Sequence, residues 1–158
     1  MGTDRVLWRE RLGVLIERGV AIVVATCDAV GNPGLTRGWG PALGDDGAVL
    51  LAVTARPGSR TATHLVPGAE VSVTVSEMTT YSTVQLLGTV DDIVPIDSDA
   101  QRRVDAHLER FAEDAAKVGV ARNATNLFLD DLVVVRLTVI DAAEQTPGSR
   151  AGIPLEGR

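Results

Sequence analysis

The stretch VAIVVATCDAVGNPGLTRGWGPALGDDGAVLLAVT, residues 20–54, alternates short Val-rich runs with clusters of turn-forming residues. The clusters VGNPG and GDDG are rich in glycine, asparagine and aspartate, which tolerate the positive φ angles of tight hairpin turns. The stretch therefore predicts three strands, at 20–29, 35–43 and 48–54, joined by two hairpins.

Three further strands are predicted beyond residue 54. Strict alternation in AEVSVTVS, residues 69–76, is typical of a half-buried strand. Residues 81–96 form a run long enough to bend, and Gly88 in its middle predicts a bulge. A final strand is expected at 132–141, followed by an irregular tail over 142–158.

Helical patterns are few and do not separate every pair of strands. They predict a first helix at 4–18 with Thr3 as its N-cap, a short helix at 59–65, and a long helix opened by Ser98. A parallel sheet would need a crossover helix between successive strands, so the fold class is mainly β (α+β). We expect one domain over residues 1–158, a six-stranded antiparallel barrel with flanking helices.

Composition and charge exclude several function classes. The chain has 158 residues, 45% of them hydrophobic, and a net charge of −6, so no basic stripe is available for nucleic acid. No apolar run reaches the length of a membrane span, and the first ten residues are charged, which favours a cytoplasmic protein with no membrane partner.

The residues that most often bind metals or act as nucleophiles are sparse. Cys27 is the only cysteine and lies in an apolar run, which predicts a small buried hydrophobic residue. The two histidines, His64 and His107, are predicted to lie on helix surfaces. No His or Cys pair has ligand spacing, so no metal site is expected.

Basic residues are concentrated in the turn TARPGSRTATHL, residues 54–65. Residues 19–101 contain nine acidic side chains and three arginines, and two of these, Arg56 and Arg60, lie in this turn. A helix beginning here would place free backbone N–H groups beside the hydroxyl of Ser59 and the Arg60 guanidinium, an arrangement that suits a phosphate. The alternative is that Ser59 only caps a surface helix and both arginines are solvated.

A tryptophan lies between two glycines in the second strand. Glycine inside a strand often marks close approach of a flat ligand to the backbone, so Gly38 and Gly40 make Trp39 a candidate ligand contact. A core or interface role for Trp39 is an equal alternative. Arg37 is predicted to share the face of Trp39.

The order of these segments resembles a known family. A helix followed by strands reading TRGWGPAL, LLAVTARPGSRTATHL, AEVSVTVS and VQLLGTV is similar to the pyridoxamine 5′-phosphate oxidase-like FMN-binding split-barrel family, over about residues 5–141. The resemblance implies a six-stranded split barrel that forms a homodimer, with FMN in a groove at the dimer interface.

The resemblance also implies a set of cofactor contacts. The family's Ser-Arg-Lys phosphate stretch falls at Ser59–Thr61, where the lysine is missing, and we hypothesise that Arg56 compensates. The implied cofactor-binding residues are Thr36, Arg37, Gly38, Trp39, Val53, Thr54, Arg56, Ser59, Arg60, Thr61, Thr83 and Gln85.

The leading functional hypothesis is an FMN-dependent oxidoreductase acting on a small molecule, in which the flavin supplies the redox chemistry. Three alternatives stay open: an F420-dependent reductase on the same barrel, a haem-binding or haem-degrading split barrel that needs an axial ligand, and a flavin-binding module without turnover. The C-terminal segment lacks the Arg/His-rich end of the pyridoxamine phosphate oxidases, so vitamin B6 oxidation is not expected. No catalytic residue or substrate is indicated.

Overall fold

The computed structural model describes residues 7–121 and 129–156, which form six strands and three helices. The helices are α1 (Trp8–Ile16), α2 (Arg60–His64) and α3 (Ser98–Lys117), and the strands are β1 (Ala21–Cys27), β2 (Pro33–Leu43), β3 (Val49–Thr54), β4 (Glu70–Ser76), β5 (Thr83–Pro95) and β6 (Leu132–Glu144). All strand pairs are antiparallel, and the sheet closes into a barrel in the order β1-β2-β3-β6-β5-β4. The predicted six-stranded antiparallel barrel is confirmed.

The two predicted hairpins of residues 20–54 are present. Each turn contains a glycine in the left-handed region, Gly31 at φ 86° and Gly47 at φ 81°. In the first turn the Asp28 carboxylate accepts hydrogen bonds from the N–H groups of Val30 and Asn32, at 3.0 and 2.8 Å. These local contacts fix the register of β1 against β2.

The barrel interior is filled by the apolar side of each strand. On β4 the side chains of Val71, Val73 and Val75 are buried, as the alternation predicts, and Leu12 and Leu15 of α1 join the same cluster. A register shift between Leu87 and Gly88 confirms the predicted bulge in β5. Alternation also turns Cys27 outward, where it is exposed, so the expectation of a buried cysteine is wrong.

Helix α3 lies outside the barrel and approaches its backbone closely at two glycines, Gly40 in β2 and Gly19 just before β1. A Cβ atom on Gly40 would lie 2.8 Å from the N atom of Val104, and one on Gly19 only 2.1 Å from the carbonyl oxygen of Arg110. Only glycine leaves room for α3 at these distances. The two positions therefore set how closely the helix approaches the sheet.

His107 joins α3 to the barrel through both nitrogens of its ring. Its Nδ1 accepts the Gly40 N–H at 3.0 Å, and its Nε2 donates to the Val20 carbonyl at 2.8 Å. The side chain is 0% exposed, so the predicted helix-surface position is wrong. Burial is the main cause that lowers the pKa of His107 to about 4, and the ring is therefore neutral at pH 7.

The predicted helix boundaries shift by one or more residues. Helix α1 is shorter than the predicted 4–18, and the proposed cap Thr3 lies outside the described residues. Helix α3 is capped by Asp97, whose carboxylate accepts the Ala100 N–H at 2.7 Å, and not by Ser98. Both are good capping residues, so the sequence alone does not separate them.

The C-terminal segment is more regular than predicted. Strand β6 continues to Glu144 because its pairing with β5 extends to the Val84–Glu144 pair. Beyond it the chain folds back, and the Leu155 N–H donates to the carbonyl of Ala142 at 2.8 Å. The tail predicted to be irregular from residue 142 is therefore partly paired with the sheet.

Candidate functional site

The turn within residues 54–65, called the arginine turn below, connects β3 to α2. The guanidinium groups of Arg56 and Arg60 are exposed to solvent there. The Ser59 hydroxyl caps α2 by accepting the Ala62 N–H at 3.2 Å. Both arginines are exposed: Arg60 makes one long hydrogen bond, from Nη1 to the Pro33 carbonyl at 3.4 Å, and Arg56 has no side-chain partner among residues 7–121 and 129–156. Two exposed guanidinium groups, neither of them in an ion pair with a described residue, therefore flank a capped turn.

The opposite side of α2 is packed against the barrel. His64 is 8% exposed and its Nδ1 lies 2.9 Å from the Thr26 hydroxyl, so the predicted surface position is wrong for this histidine as well. Thr61 is also buried, and a Cβ on Gly34 would lie 3.3 Å from its N atom. The five-residue helix has one face against β1 and β2, which turns Thr61 inward and leaves Arg60 exposed.

Of the ligand-contacting residues predicted on β2 and β3, some lie at the surface and others in the barrel interior. The Thr36 hydroxyl donates to the Thr54 carbonyl at 2.8 Å and ties the start of β2 to the end of β3, while Arg37 is exposed on the outer face. Val53 is in the barrel core, and a Cβ on Gly38 would lie 2.8 Å from the Ile22 side chain. Val53 and Gly38 can thus contact a ligand only through their backbone.

Trp39 belongs to the protein core and not to the exposed surface. Its side chain is 2% exposed, and its ring lies 5.6 Å from the rings of both His107 and Phe111 beneath α3. The flanking glycine Gly40, at φ 56°, accommodates the backbone of α3 and not a flat ligand. Of the two alternatives for Trp39, the structure supports the core role, and a contact with a ligand stays a prediction.

Thr83 and Gln85 lie on a distant part of the sheet. The Thr83 hydroxyl is buried 2.7 Å from that of Ser76, and the Gln85 amide donates to the Ser72 hydroxyl at 3.1 Å. Gln85 pairs with Thr74, Thr74 with Val23, and Val23 with Arg37. Gln85 and Arg37 are therefore three strand spacings apart, which amounts to about 14 Å. Within one chain, Gln85 therefore does not lie beside Arg37.

Two carboxylates, those of Asp130 and Asp131, lie in the same cleft as Arg56. Arg56 and Thr54 line a cleft of about 170 Å³ together with Asp130 and Asp131. The carboxylates weaken the attraction of Arg56 for an anion, while Arg60 lies outside this cleft. The sequence shows this acidic pair but gives no sign that the fold places it beside Arg56.

The described residues contain no group of three or more His, Cys, Asp or Glu side chains arranged to hold a metal ion. Among the same residues, no helix combines the length and apolar character needed to cross a membrane.

Solved structures with this architecture come from several proteins. HupZ from Group A Streptococcus matches with a TM-score of 0.52 and 18% identity, over 96% of this chain and 100% of that one. An F420 reductase matches with a TM-score of 0.52 and 19% identity, over 82% and 94% of the two chains. A predicted pyridoxamine 5′-phosphate oxidase from Lactobacillus delbrueckii matches with a TM-score of 0.50 and 16% identity, over 90% and 96%.

The chain has the fold of the pyridoxamine 5′-phosphate oxidase-like split barrels. The resemblance in the sequence is therefore confirmed at the level of fold. No protein-family model matches the sequence, and no curated protein is similar to it. At identities below 20%, these three structures establish the fold of the split barrel and leave its ligand to be argued from its own residues.

Proposed function

We propose that this split barrel binds FMN and acts as an FMN-dependent oxidoreductase on a small molecule. The observation that carries the proposal is that the guanidinium groups of Arg56 and Arg60 are exposed at a capped turn and form no ion pair within the part of the chain that the structure describes. They lie in a stretch of the chain that is otherwise acidic. Bound FMN would supply hydride and electron transfer, and the protein would supply binding and orientation.

The residues present fit the phosphate end of FMN. Arg60 and Ser59 would hold the phosphate, with Arg56 contributing less because Asp130 and Asp131 share its cleft. The Thr36–Thr54 hydrogen bond keeps the ends of β2 and β3 together beside this turn. With Trp39 buried, the flavin ring would lie on the outer face of the sheet near Arg37.

FMN is expected to bind much more tightly than riboflavin, because riboflavin lacks the phosphate that the arginine turn would hold. Arg60→Ala should weaken FMN binding by about one to two decades in the dissociation constant, from loss of a charge-assisted contact of roughly 1.5 to 3 kcal/mol. Arg56→Ala should have a smaller effect. Titration followed by flavin absorbance and fluorescence measures all of these constants.

The control for this series is Arg102→Ala, which removes an exposed arginine on α3 that pairs with Asp99. It should bind FMN like the parent. Flavin-free Arg60→Ala should keep the parent melting temperature, because its side chain makes only the one long hydrogen bond. Equal affinity for FMN and riboflavin, or parent-like binding by Arg60→Ala, would show that the turn does not bind the phosphate.

We further propose that the protein is a homodimer that pairs through the outer face of β1, β2, β4 and β5. Register places Leu35, Ala25, Ser72 and Leu87 in one row across these four strands. Leu35 is 71% exposed and Leu87 36%. Three of these four side chains are apolar, and the two leucines are exposed at the ends of the row. Exposed apolar side chains on one sheet face are typical of a surface that a two-fold partner covers. A second copy would also bring its own Thr83 and Gln85 toward Arg37.

Light scattering at micromolar concentration should give twice the chain mass. Leu35→Arg should raise the dimer dissociation constant at least about tenfold, because it introduces a charge into each half of an apolar interface. Val30→Arg is the matched control: Val30 is 83% exposed but lies in the β1–β2 turn, away from the row. A monomeric parent, or equal effects of the two variants, would contradict the proposed interface.

The same titration separates the alternative cofactors. An F420-dependent reductase is the second candidate, since an F420 reductase has this fold, and F420 would bind in place of FMN. The haem alternative is disfavoured because His64 and His107, the two histidines of the chain, are both buried and hydrogen-bonded. A flavin-binding module without turnover would bind FMN but oxidise no substrate. The cytoplasmic location stays a prediction.

A further inference from the structure

A separate cleft opens at the opposite end of the barrel from the arginine turn. It has a volume of about 420 Å³ and lies between Arg11 of α1, Glu144 at the end of β6, and residues 146–150. The arginine turn follows Thr54 of β3, which pairs with Leu132 at the start of β6. The cleft and the turn therefore lie at opposite ends of one 13-residue strand.

The outer wall of the cleft is fixed by backbone hydrogen bonds. The Gly152 N–H donates to the Glu144 carbonyl at 2.7 Å, and the Glu144 N–H donates to the Ile153 carbonyl at 2.9 Å. At its inner side the Gln145 N–H donates to the Thr83 carbonyl at 2.8 Å. The segment 146–152 is thus held at both ends against the sheet.

The cleft carries an excess of positive charge although the whole chain has a net charge of −6. Arg11 binds Glu144 from Nε at 3.0 Å and Ser82 from Nη2 at 2.5 Å, and its Nη1 makes no hydrogen bond within the described part of the chain. The Glu144 charge is thereby balanced by Arg11. Arg150, which also lines the cleft, is exposed and has no side-chain partner among the described residues.

The other groups that line the cleft suit a small organic molecule better than a bare ion. Pro147 and Gly148 supply apolar surface and Ser149 supplies a hydroxyl, while the Thr146 hydroxyl is engaged by Glu144 and the Thr83 N–H. Binding sites for small molecules typically have this composition, mainly apolar surface with a few placed polar groups, and volumes from about 300 Å³ upward.

We infer that this cleft binds a small organic acid, whose anionic group pairs with Arg150 and the free Nη1 of Arg11 and whose apolar body rests on Pro147. The inference is independent of FMN binding, because none of these residues belongs to the arginine turn. Guanidinium groups bind carboxylate and phosphate oxygens with matching geometry.

Benzoate is the probe, and benzamide, which has the same shape without the charge, is its control. In calorimetric titrations of the FMN-loaded protein, benzoate should bind at least about tenfold more tightly than benzamide. Arg150→Gln should remove most of that difference, while Arg102→Gln, a matched change of another exposed arginine, should not. Arg60→Ala should bind benzoate like the parent.

Several results would overturn the inference. These are equal binding of benzoate and benzamide, no detectable binding of benzoate, parent-like binding by Arg150→Gln, or loss of benzoate binding in Arg60→Ala, which would place the probe at the arginine turn. A melting temperature for Arg150→Gln equal to that of the parent shows that the fold is intact, as expected for an exposed side chain without a partner. Failure of FMN binding leaves these outcomes unchanged, since the flavin-free protein can be titrated in the same way.

Discussion

Gly19→Ala is expected to lower the free energy of unfolding by about 3 kcal/mol or more, toward the upper end of the range for overpacked sites. The added methyl group would lie 2.1 Å from the carbonyl oxygen of Arg110, a backbone atom of α3 that no side-chain rotation can move away. The helix must shift from the barrel or the strand start must distort. Urea denaturation followed by tryptophan fluorescence measures the loss.

Gly13→Ala is the matched control for this change. Gly13 lies inside α1, and a methyl group there would meet only the Leu43 side chain at 3.9 Å, an ordinary contact distance. Alanine is favoured over glycine in a helix by roughly 0.5 to 1 kcal/mol, so this variant should be more stable than the parent. A Gly19→Ala protein as stable as the parent would contradict the close packing of α3.

His107→Leu is expected to lower the free energy of unfolding by about 2 to 5 kcal/mol, because it leaves two buried backbone groups without partners. The Gly40 N–H and the Val20 carbonyl each bond to the imidazole in the parent. Leucine has similar bulk but neither donates nor accepts a hydrogen bond. The same denaturation experiment at pH 7 gives the difference.

The pH dependence of stability gives a second readout for His107. Burial lowers the pKa of His107 from 6.5 to about 4 in the folded protein, so between these values the unfolded chain binds a proton that the folded chain does not. The contribution of His107 to the free energy of unfolding is fully present above pH 6.5. It decreases by up to about 3 kcal/mol as the pH falls to 4. His107→Leu should lack this component, and identical pH profiles for parent and variant would count against it.

Local patterns account for the parts of the fold that were predicted correctly. These patterns are the turn clusters VGNPG and GDDG and the alternation in residues 69–76. Each depends on a few neighbouring residues, so it predicts a strand or hairpin without information about the rest of the fold. Closure of the barrel depends on the β1–β4 and β3–β6 pairs, which join distant segments. The six hairpin-connected strands predicted a barrel-like sheet, but local patterns do not indicate which distant strands pair to close it.

Residues that contact α3 show why other features of the structure were not predicted from the sequence. His107 lies three residues after Val104 and four before Phe111, on the buried stripe of α3, but its polar ring favoured a surface position. Only the docked helix shows that Gly40 and Val20 supply hydrogen-bond partners for the ring. The glycine beside Trp39 was attributed to a ligand because close approach to a backbone looks the same whether a ligand or a helix approaches. The arginine turn was recognised because its residues are contiguous, whereas Arg11 and Arg150 meet only through folding.

The closed strand order has a consequence for how the chain is made. Strands β3 and β5 both take β6 as a neighbour, and β6 begins only at Leu132. During synthesis, each of them therefore keeps an unpaired edge until β6 has left the ribosome. Such edges readily pair with other chains, and pairings between distant segments also form slowly. Until β6 closes the ring, these two edges are therefore the places where one nascent chain can pair with another.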